Sequence, residues 1–334
     1  MPLAKPAPKT KLDIPLASCY NSTMNNSTKH RVLALLEQHC GNHLSGQVIA
    51  AQLNISRNAV WKAVKTLQHE GHDITAVTNR GYCLNSTSDV LSTAGITARL
   101  AQPCDIHVHN TLDSTNHTAK QLAMAGAQHG TIVVANEQTA GRGRYTRPFA
   151  SPAGGIYFSV ILRPSYAIPT LVTAQAAVAV CQAVEQLCGL HPSIKWVNDV
   201  LLGTQKLCGI LTEAITDFET GQIAWVVVGI GVNFTQAPHE HAACLFPSGE
   251  PTITRNALIA AIVNHMLTPP IRSELLAAYE QRLDTLGKTV RLRDEQDILG
   301  KAVAIDENAA LLVRRANGEI IILNSGEISI VTLF

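Results

Sequence analysis

Four cations carry most of the chemistry this chain can be expected to do. Arg142 and Arg144 alternate with Gly141 and Gly143 in Gln138-Thr139-Ala140-Gly141-Arg142-Gly143-Arg144-Tyr145, directly after the apolar run Thr131–Ala135. Glycine lets a backbone approach a ligand closely, and the planar arginine fork suits carboxylate or phosphate. The pattern reads as a strand ending in a loop that closes over a small anion. Lys195 stands in Ile194-Lys195-Trp196-Val197-Asn198-Asp199-Val200, read as one short strand with a polar finish. Lys206 opens a further strand, Lys206–Glu213, that Gly209 interrupts, and glycine there suggests close ligand approach. Such a set fits activation of a carboxylic acid by ATP. Fixed cations let a carboxylate approach the α-phosphate and stabilise charge on the transferring group, while a closing loop keeps water from an acyl-adenylate. Lys206, Arg144 and Arg142 are the catalytic candidates. Asp199 is the candidate for organising Mg²⁺ or a lysine, since magnesium sites combine few protein ligands with substrate phosphates. No Ser/His or Cys/His arrangement is recognisable, so direct attack of an amine on the adenylate suffices.

Other motifs are weaker or are set aside. Asp113-Ser114-Thr115-Asn116 ends a strand and begins a helix; helix capping is the plain reading, and hydrogen bonding to a polar ring is the other. Gly229-Ile230-Gly231-Val232-Asn233 lacks the third glycine of a dinucleotide loop. His239, His241 and Cys244 have no second ligand pair to make a zinc site. The eight cysteines form no CxxC pair, which points to reduced thiols in a cytoplasmic protein. No signal region and no apolar run of transmembrane length is expected.

The elements that must position these groups follow from periodicity. Residues 1–28 read as a disordered leader. Residues 29–85 read as a winged helix-turn-helix. Val32, Leu33, Leu35 and Leu36 stripe a first helix, Ser45-Gly46-Gln47 opens a second, and Ser56 caps a third from about Arg57 to His69, with Val60, Trp61, Val64 and Leu67 at core spacing. Ser56, Arg57, Asn58, Lys62 and Lys65 are the DNA-facing candidates, joined by Arg80 in a basic turn between two short strands. From Lys29 to Arg80 there are six Lys/Arg against three Asp/Glu, whereas the remainder is net acidic; a basic module ahead of an acidic body points to nucleic acid. Residues 86–106 read as a linker with a short helix near Ser88–Ala94. Residues 107–284 form the main body, with a buried alanine-rich helix from Pro169. Residues 285–334 read as short strands divided by turns, a small all-β barrel.

In their order, the motifs resemble the bacterial bifunctional biotin–protein ligase and biotin operon repressor family. The resemblance rests on Ser56–Val60, Asp113–Asn116, Glu137-Gln138 with Gly141–Arg144, Lys195–Asp199, Lys206–Leu211, Gly229–Asn233 and Ser325–Ser329. It implies an α+β chain: an N-terminal winged helix-turn-helix, a central mixed β-sheet with helices like the class II aminoacyl-tRNA synthetases, and a C-terminal SH3-like β-barrel. It implies biotin and ATP as substrates, Mg²⁺, and no tightly bound prosthetic group. Ser114, Thr115, Asn116, Gln138, Gly141, Arg142, Arg144, Lys206 and Gly209 would bind biotin. Arg144, Lys195, Trp196, Asn198, Asp199 and Asn233 would serve ATP. The implied partners are the biotin carboxyl carrier protein of acetyl-CoA carboxylase, operator DNA and a second copy of the chain on adenylate binding, with no membrane. The chain departs from the family pattern at Val197 (usually Pro), Thr146 (usually Gly) and Phe149 (usually Trp). A biotin sensor without ligase activity and a lipoate–protein ligase stay open as alternatives.

Overall fold

The structure is a computed structural model that describes residues 27–163, 168–216, 219–240, 242–292, 299–326 and 328–330. All but the last two residues of the expected leader, and His241, lie outside the described residues. The chain divides into two units, one ending at Leu84 and one beginning at Asn85.

The first unit holds α1 (Thr28–Gln38), α2 (Gly46–Leu53) and α3 (Arg57–His69). A serine caps each: Ser27, Ser45 and Ser56 accept from the backbone N–H groups of His30, Val48 and Ala59, which satisfies donors the helix cannot. Val32, Leu36, Ile49, Val60, Val64 and Leu67 meet in the core. Trp61 was expected with them, but it is 49 % exposed. The stripe Val60–Val64–Leu67 already fills the inner face, and one residue further round a 3.6-residue turn points outward. Strands β1 (Ile74–Val77) and β2 (Gly81–Leu84) pair antiparallel as the wing. Their turn needs positive φ at Asn79 (63°) and Gly81 (97°). A Cβ at Gly81 would also lie 2.1 Å from the Leu44 carbonyl oxygen.

In the second unit, α4 (Thr93–Thr97) begins later than the expected helix near Ser88. Asp89 is instead engaged by Arg255, whose backbone N and Nε donate to its carboxylate at 2.6 and 2.7 Å. Arg255 also reaches Asn136 at 2.8 Å. The central sheet comprises β3 (Ile106–Leu112), β4 (Ile132–Gln138), β5 (Ile156–Leu162), β6 (Ser193–Lys195), β7 (Asp199–Leu202), β8 (Gln205–Thr216) and β9 (Ile223–Val232), in the order β3-β4-β5-β9-β8-β7-β6. Only the β3–β4 pair is parallel. Side chains alternate across it. Val134, Phe158, Val160 and Val228 pack toward α6 (Pro169–Cys188) and α7 (Arg255–Leu267), while Val133, Ile161 and Val227 pack against α5 (Thr115–Met124). α8 (Arg272–Arg282) packs on α6.

Three sequence expectations change here. The segment read as one strand from Ile194 to Val200 is a hairpin: β6 and β7 pair with Lys195 opposite Asp199. Its turn, Trp196-Val197-Asn198, has one turn-forming residue, Asn198, and is held by distant bonds. Trp196 N donates to Thr285 Oγ1, Trp196 Nε1 donates to the Ala309 carbonyl, and Tyr279 OH donates to the Val197 carbonyl. The Trp196–Val197 peptide is cis. Second, α6 is long and apolar enough to cross a membrane by length and composition; it is the buried helix of this layer, with Val180, Cys181 and Val184 fully covered.

The third correction concerns the C-terminal strands. β10 (Thr289–Leu292), β11 (Leu299–Ile305), β12 (Leu311–Arg314), β13 (Ile320–Leu323) and β14 (Ile328–Ile330) form an antiparallel sheet in the order β13-β12-β11-β10-β14. The SH3-like barrel is therefore not formed. Closure would need β13 to pair with β14, but β14 spans three residues and pairs with β10. Ile320 and Ile322 on the edge strand β13 stay exposed at 48 % and 57 %.

Candidate active site

The polar floor of the site begins at the junction of β3 and α5. Ser114 stands at the N-cap of α5 but makes no capping bond, so its hydroxyl is not spent on the helix. Asp113 takes part of that work, accepting from Ser114 N at 2.6 Å. His117 hydrogen-bonds the Asp113 carboxyl and holds it below the usual carboxylate range. Thr115 N donates to Gln138 Oε1 at 2.8 Å, and Gln138 Nε2 donates to Ser151 Oγ at 2.8 Å. These two bonds fix which way the Gln138 amide faces.

Asn116 is oriented as firmly. Its Nδ2 donates to the Leu211 carbonyl and to Glu213 Oε2, at 3.2 and 2.8 Å. Its Oδ1 must then accept, and it does so from the fully buried Ser159 hydroxyl at 2.6 Å. Ser159 Oγ also lies 2.8 Å from Thr115 Oγ1. Sequence reasoning missed Ser159, Ser151 and Glu213. The signal for Ser159 was present: a lone hydroxyl in the apolar run Ile156–Leu162 has to be hydrogen-bonded once buried.

Above this floor lies a cavity of about 210 Å³. It gathers Arg142, Arg144, Lys195, Lys206 and Asp199 on one side, and Ser114, Thr115, Asn116 and Gln138 on another. Trp196, Asn198 and Gly209 complete the expected lining residues. Two expected residues do not line it. A Cβ at Gly141 would meet the Phe149 carbonyl oxygen at 2.4 Å and Ser151 Oγ at 2.6 Å, so this glycine lets the loop pack on itself. Asn233 is buried, and its Nδ2 donates to the carbonyls of Lys206 and Ala243 at 3.2 and 2.8 Å. It ties the 237–252 loop to β8 instead of facing the cavity.

The cations differ in how they are held. Lys206 Nζ lies 2.7 Å from Asp199 Oδ1, an oxygen that is buried and makes no hydrogen bond of good geometry. Arg144 Nη1 donates to Asn198 Oδ1 at 3.2 Å and to the Gly326 carbonyl at 3.0 Å, linking the arginine loop to the turn before β14. Arg142 and Lys195 have no side-chain partner among the described residues and face the cavity as uncommitted charges. Phe149 covers the floor: a Cβ at Gly231 would fall 2.4 Å from its ring and one at Gly209 3.0 Å. Thr146 adopts φ 59°, a left-handed conformation that costs a β-branched residue about 1–2 kcal/mol.

The DNA-facing candidates belong to the first unit. Ser56 is the α3 cap, and Arg57, Asn58, Lys62 and Lys65 are exposed on that helix, with Arg80 exposed in the wing turn.

A mixed sheet carrying a cationic glycine loop over a fixed polar floor defines the class as an acid-activating ligase. Residues 108–233 match the biotin/lipoate A/B protein ligase family, residues 28–83 an HTH domain, and residues 285–331 the biotin protein ligase C-terminal domain. The chain is 34 % identical over 322 residues to the bifunctional ligase/repressor BirA of Bacillus subtilis, covering 88 % of this chain and 96 % of that protein. It is 28 % identical to the bifunctional ligase/repressor BirA of Escherichia coli, over 92 % of this chain and 98 % of that one. Among solved structures it resembles the Aquifex aeolicus biotin protein ligase in complex with biotin and ATP. The identity there is 27 % and the TM-score 0.56, covering 67 % of this chain and 97 % of that one. The chain belongs to the family of bifunctional biotin–protein ligases and repressors.

Proposed function

We propose the following reading of the site. The protein is a biotin–protein ligase that also acts as a repressor. A biotin carboxylate oxygen attacks the α-phosphorus of ATP, the bond to the β-phosphate oxygen breaks, and pyrophosphate leaves. The ε-amine of a lysine on the biotin carboxyl carrier protein then attacks the acyl carbon. AMP departs and the nitrogen loses a proton. The observation that carries this reading is the meeting of an oriented amide–hydroxyl floor with four cations in one cavity. Ser114, Thr115 and Gln138 receive the ureido ring, whose N–H and C=O groups need matched partners, and Asn116, its amide bonded to Leu211, Glu213 and Ser159, lines the floor beside them. Lys206 and Arg144 sit by the carboxylate and α-phosphate; Arg142 and the backbone of its loop cover the ligand. Lys195, Asn198 and Trp196 serve the nucleotide.

Among the described residues Asp199 is the only carboxylate lining the cavity, and its buried Oδ1 lacks a well-directed hydrogen bond. That donor set fits a magnesium ion held chiefly by ATP phosphates with one carboxylate behind it. Bound there, the ion would supply charge neutralisation to the ATP phosphates. The DNA-facing residues of α3 and the wing contact an operator, two copies of the chain associate when the adenylate is bound, and the protein works in the cytoplasm.

The test is to mix the protein with biotin, ATP·Mg and a purified carrier domain and to measure labelled carrier. Labelling supports the ligase. Adenylate formation without transfer favours a sensor, and labelling by lipoate in competition with biotin favours a lipoate ligase.

A further inference from the structure

Trp61 is 49 % exposed on a small unit whose other large apolar side chains are mostly buried. It forms no ring or cation–π contact among the described residues. Exposing half of an indole forfeits part of the burial that large aromatic side chains normally supply. Its setting is specific. Arg57, Trp61 and Lys65 are spaced i, i+4, i+8, so they form one line along α3 with neighbours about 5–6 Å apart. Asn58 and Lys62 flank that line, and no acidic residue lies anywhere in Arg57–His69. The next carboxylate along the chain, Glu70 at the C-cap, is paired with Lys29. Trp61 is also the fifth residue of its helix, in the N-terminal half that reaches base edges when such a helix enters a major groove.

A surface of one aromatic ring among unopposed cations is complementary to a polyanion with an apolar spot on it. In a duplex major groove the only apolar group at the base edges is the thymine C5-methyl. We infer that Trp61 is a specificity-determining residue that reads a thymine methyl in the operator, between phosphate contacts made by Arg57 and Lys65. The inference rests on the repressor reading. It assigns a sequence-reading role to the apolar residue of α3, whereas the cations supply sequence-independent, salt-sensitive affinity.

The experiment takes the full chain with biotin and ATP·Mg and selects bound duplexes from a random-sequence pool. The recovered site is then remade with deoxyuridine in place of each thymine in turn, which removes only the methyl. The wild type is expected to lose affinity roughly fourfold at one thymine per half-site, the worth of one buried methyl. Trp61→Ala is expected to bind the recovered site about tenfold more weakly and to be indifferent to that deoxyuridine. Its slope of log affinity against log salt is expected to be unchanged, whereas Lys65→Ala lowers the slope by about one. Trp61→Phe should recover part of both the affinity and the deoxyuridine sensitivity. A wild type indifferent to every deoxyuridine overturns the inference, and so does a Trp61→Ala variant that keeps the wild-type sensitivity. Should Trp61→Ala fail to fold, by its thermal midpoint, the wild-type deoxyuridine series and Trp61→Phe still decide. Failure to enrich any sequence would instead sink the repressor reading beneath it.

Discussion

Each glycine and cation around the cavity has a distinct task, which makes single substitutions informative. Lys206→Gln keeps the stem and removes the charge that faces Asp199. Loss of one pre-placed charge-stabilising group typically costs ~10²–10³ in rate, so biotin-dependent ATP–pyrophosphate exchange should fall by about that factor, in kcat more than in KM. The side chain is 38 % exposed, so the thermal midpoint should barely move; an undiminished exchange rate removes Lys206 from the reacting centre. Gly229 and Gly231 share a strand but differ in what an added methyl would strike. At Gly229 it meets Asn116 Oδ1 at 2.1 Å, an amide locked by three hydrogen bonds. At Gly231 it meets the Phe149 ring on the loop that covers the floor. Gly229→Ala should therefore destabilise the fold by roughly 1–3 kcal/mol, as overpacking does. Gly231→Ala should fold but release the adenylate faster, and Phe149→Leu should restore retention in that background. Equal thermal midpoints for the two glycine variants would contradict this division of labour.

At the scale of elements, the winged unit stores a pH dependence. His72 is 6 % exposed, and burial holds its imidazole below the usual histidine value of 6.5, with Glu70 pulling weakly the other way. His30 in the same unit is shifted in the same direction. A histidine whose folded pKa is depressed binds its proton more readily when unfolded, so stability is full above 6.5 and declines as pH falls below it. Thermal midpoints of the unit followed from pH 7.5 to 5 should drop, and His72→Gln should flatten the decline; a flat wild-type curve would refute the assignment.

The helices of this unit were legible because a three- to four-residue apolar period coincides with Ser45 and Ser56 at the starts of the second and third, whereas the cap of the first, Ser27, was read as part of the leader. The site residues were legible for a related reason: polar groups and glycines break otherwise apolar strands at Gln138, Lys206 and Gly209. What escaped the sequence was decided by distant partners. The β6–β7 hairpin has Asn198 as its single turn-forming residue in a run that otherwise reads as strand, and its turn is held by Thr285, Tyr279 and Ala309. Barrel closure likewise depended on a β13–β14 pairing that no local pattern reports. Trp61 was misread because its neighbour Val60 carries the same core spacing, and periodicity could not choose between adjacent residues.

Taken as a whole, the chain joins a ligand-activating unit to a DNA-reading unit, and thermodynamics constrains that union without reference to its route. If the adenylate strengthens operator binding by a factor α, the operator must strengthen adenylate binding by the same α. Coupling energies of this kind are typically about 1–3 kcal/mol, or roughly 5- to 150-fold. In the arginine loop Arg144 binds Gly326 and Asn198, while the Arg142 side chain has no partner among the described residues and is free to engage a ligand. The expected outcome is that operator affinity, measured at fixed salt, rises when biotin and ATP·Mg are added together and not when either is added alone. Adenylate affinity measured with and without saturating operator should rise by the same factor. Arg142→Ala, which removes a charge lining the cavity, should weaken adenylate binding in both conditions. A rise on one side of the cycle without its equal on the other would show that the preparation was not at equilibrium. No rise on either side would mean that the two units act independently, and that repression is not governed by the state of the active site.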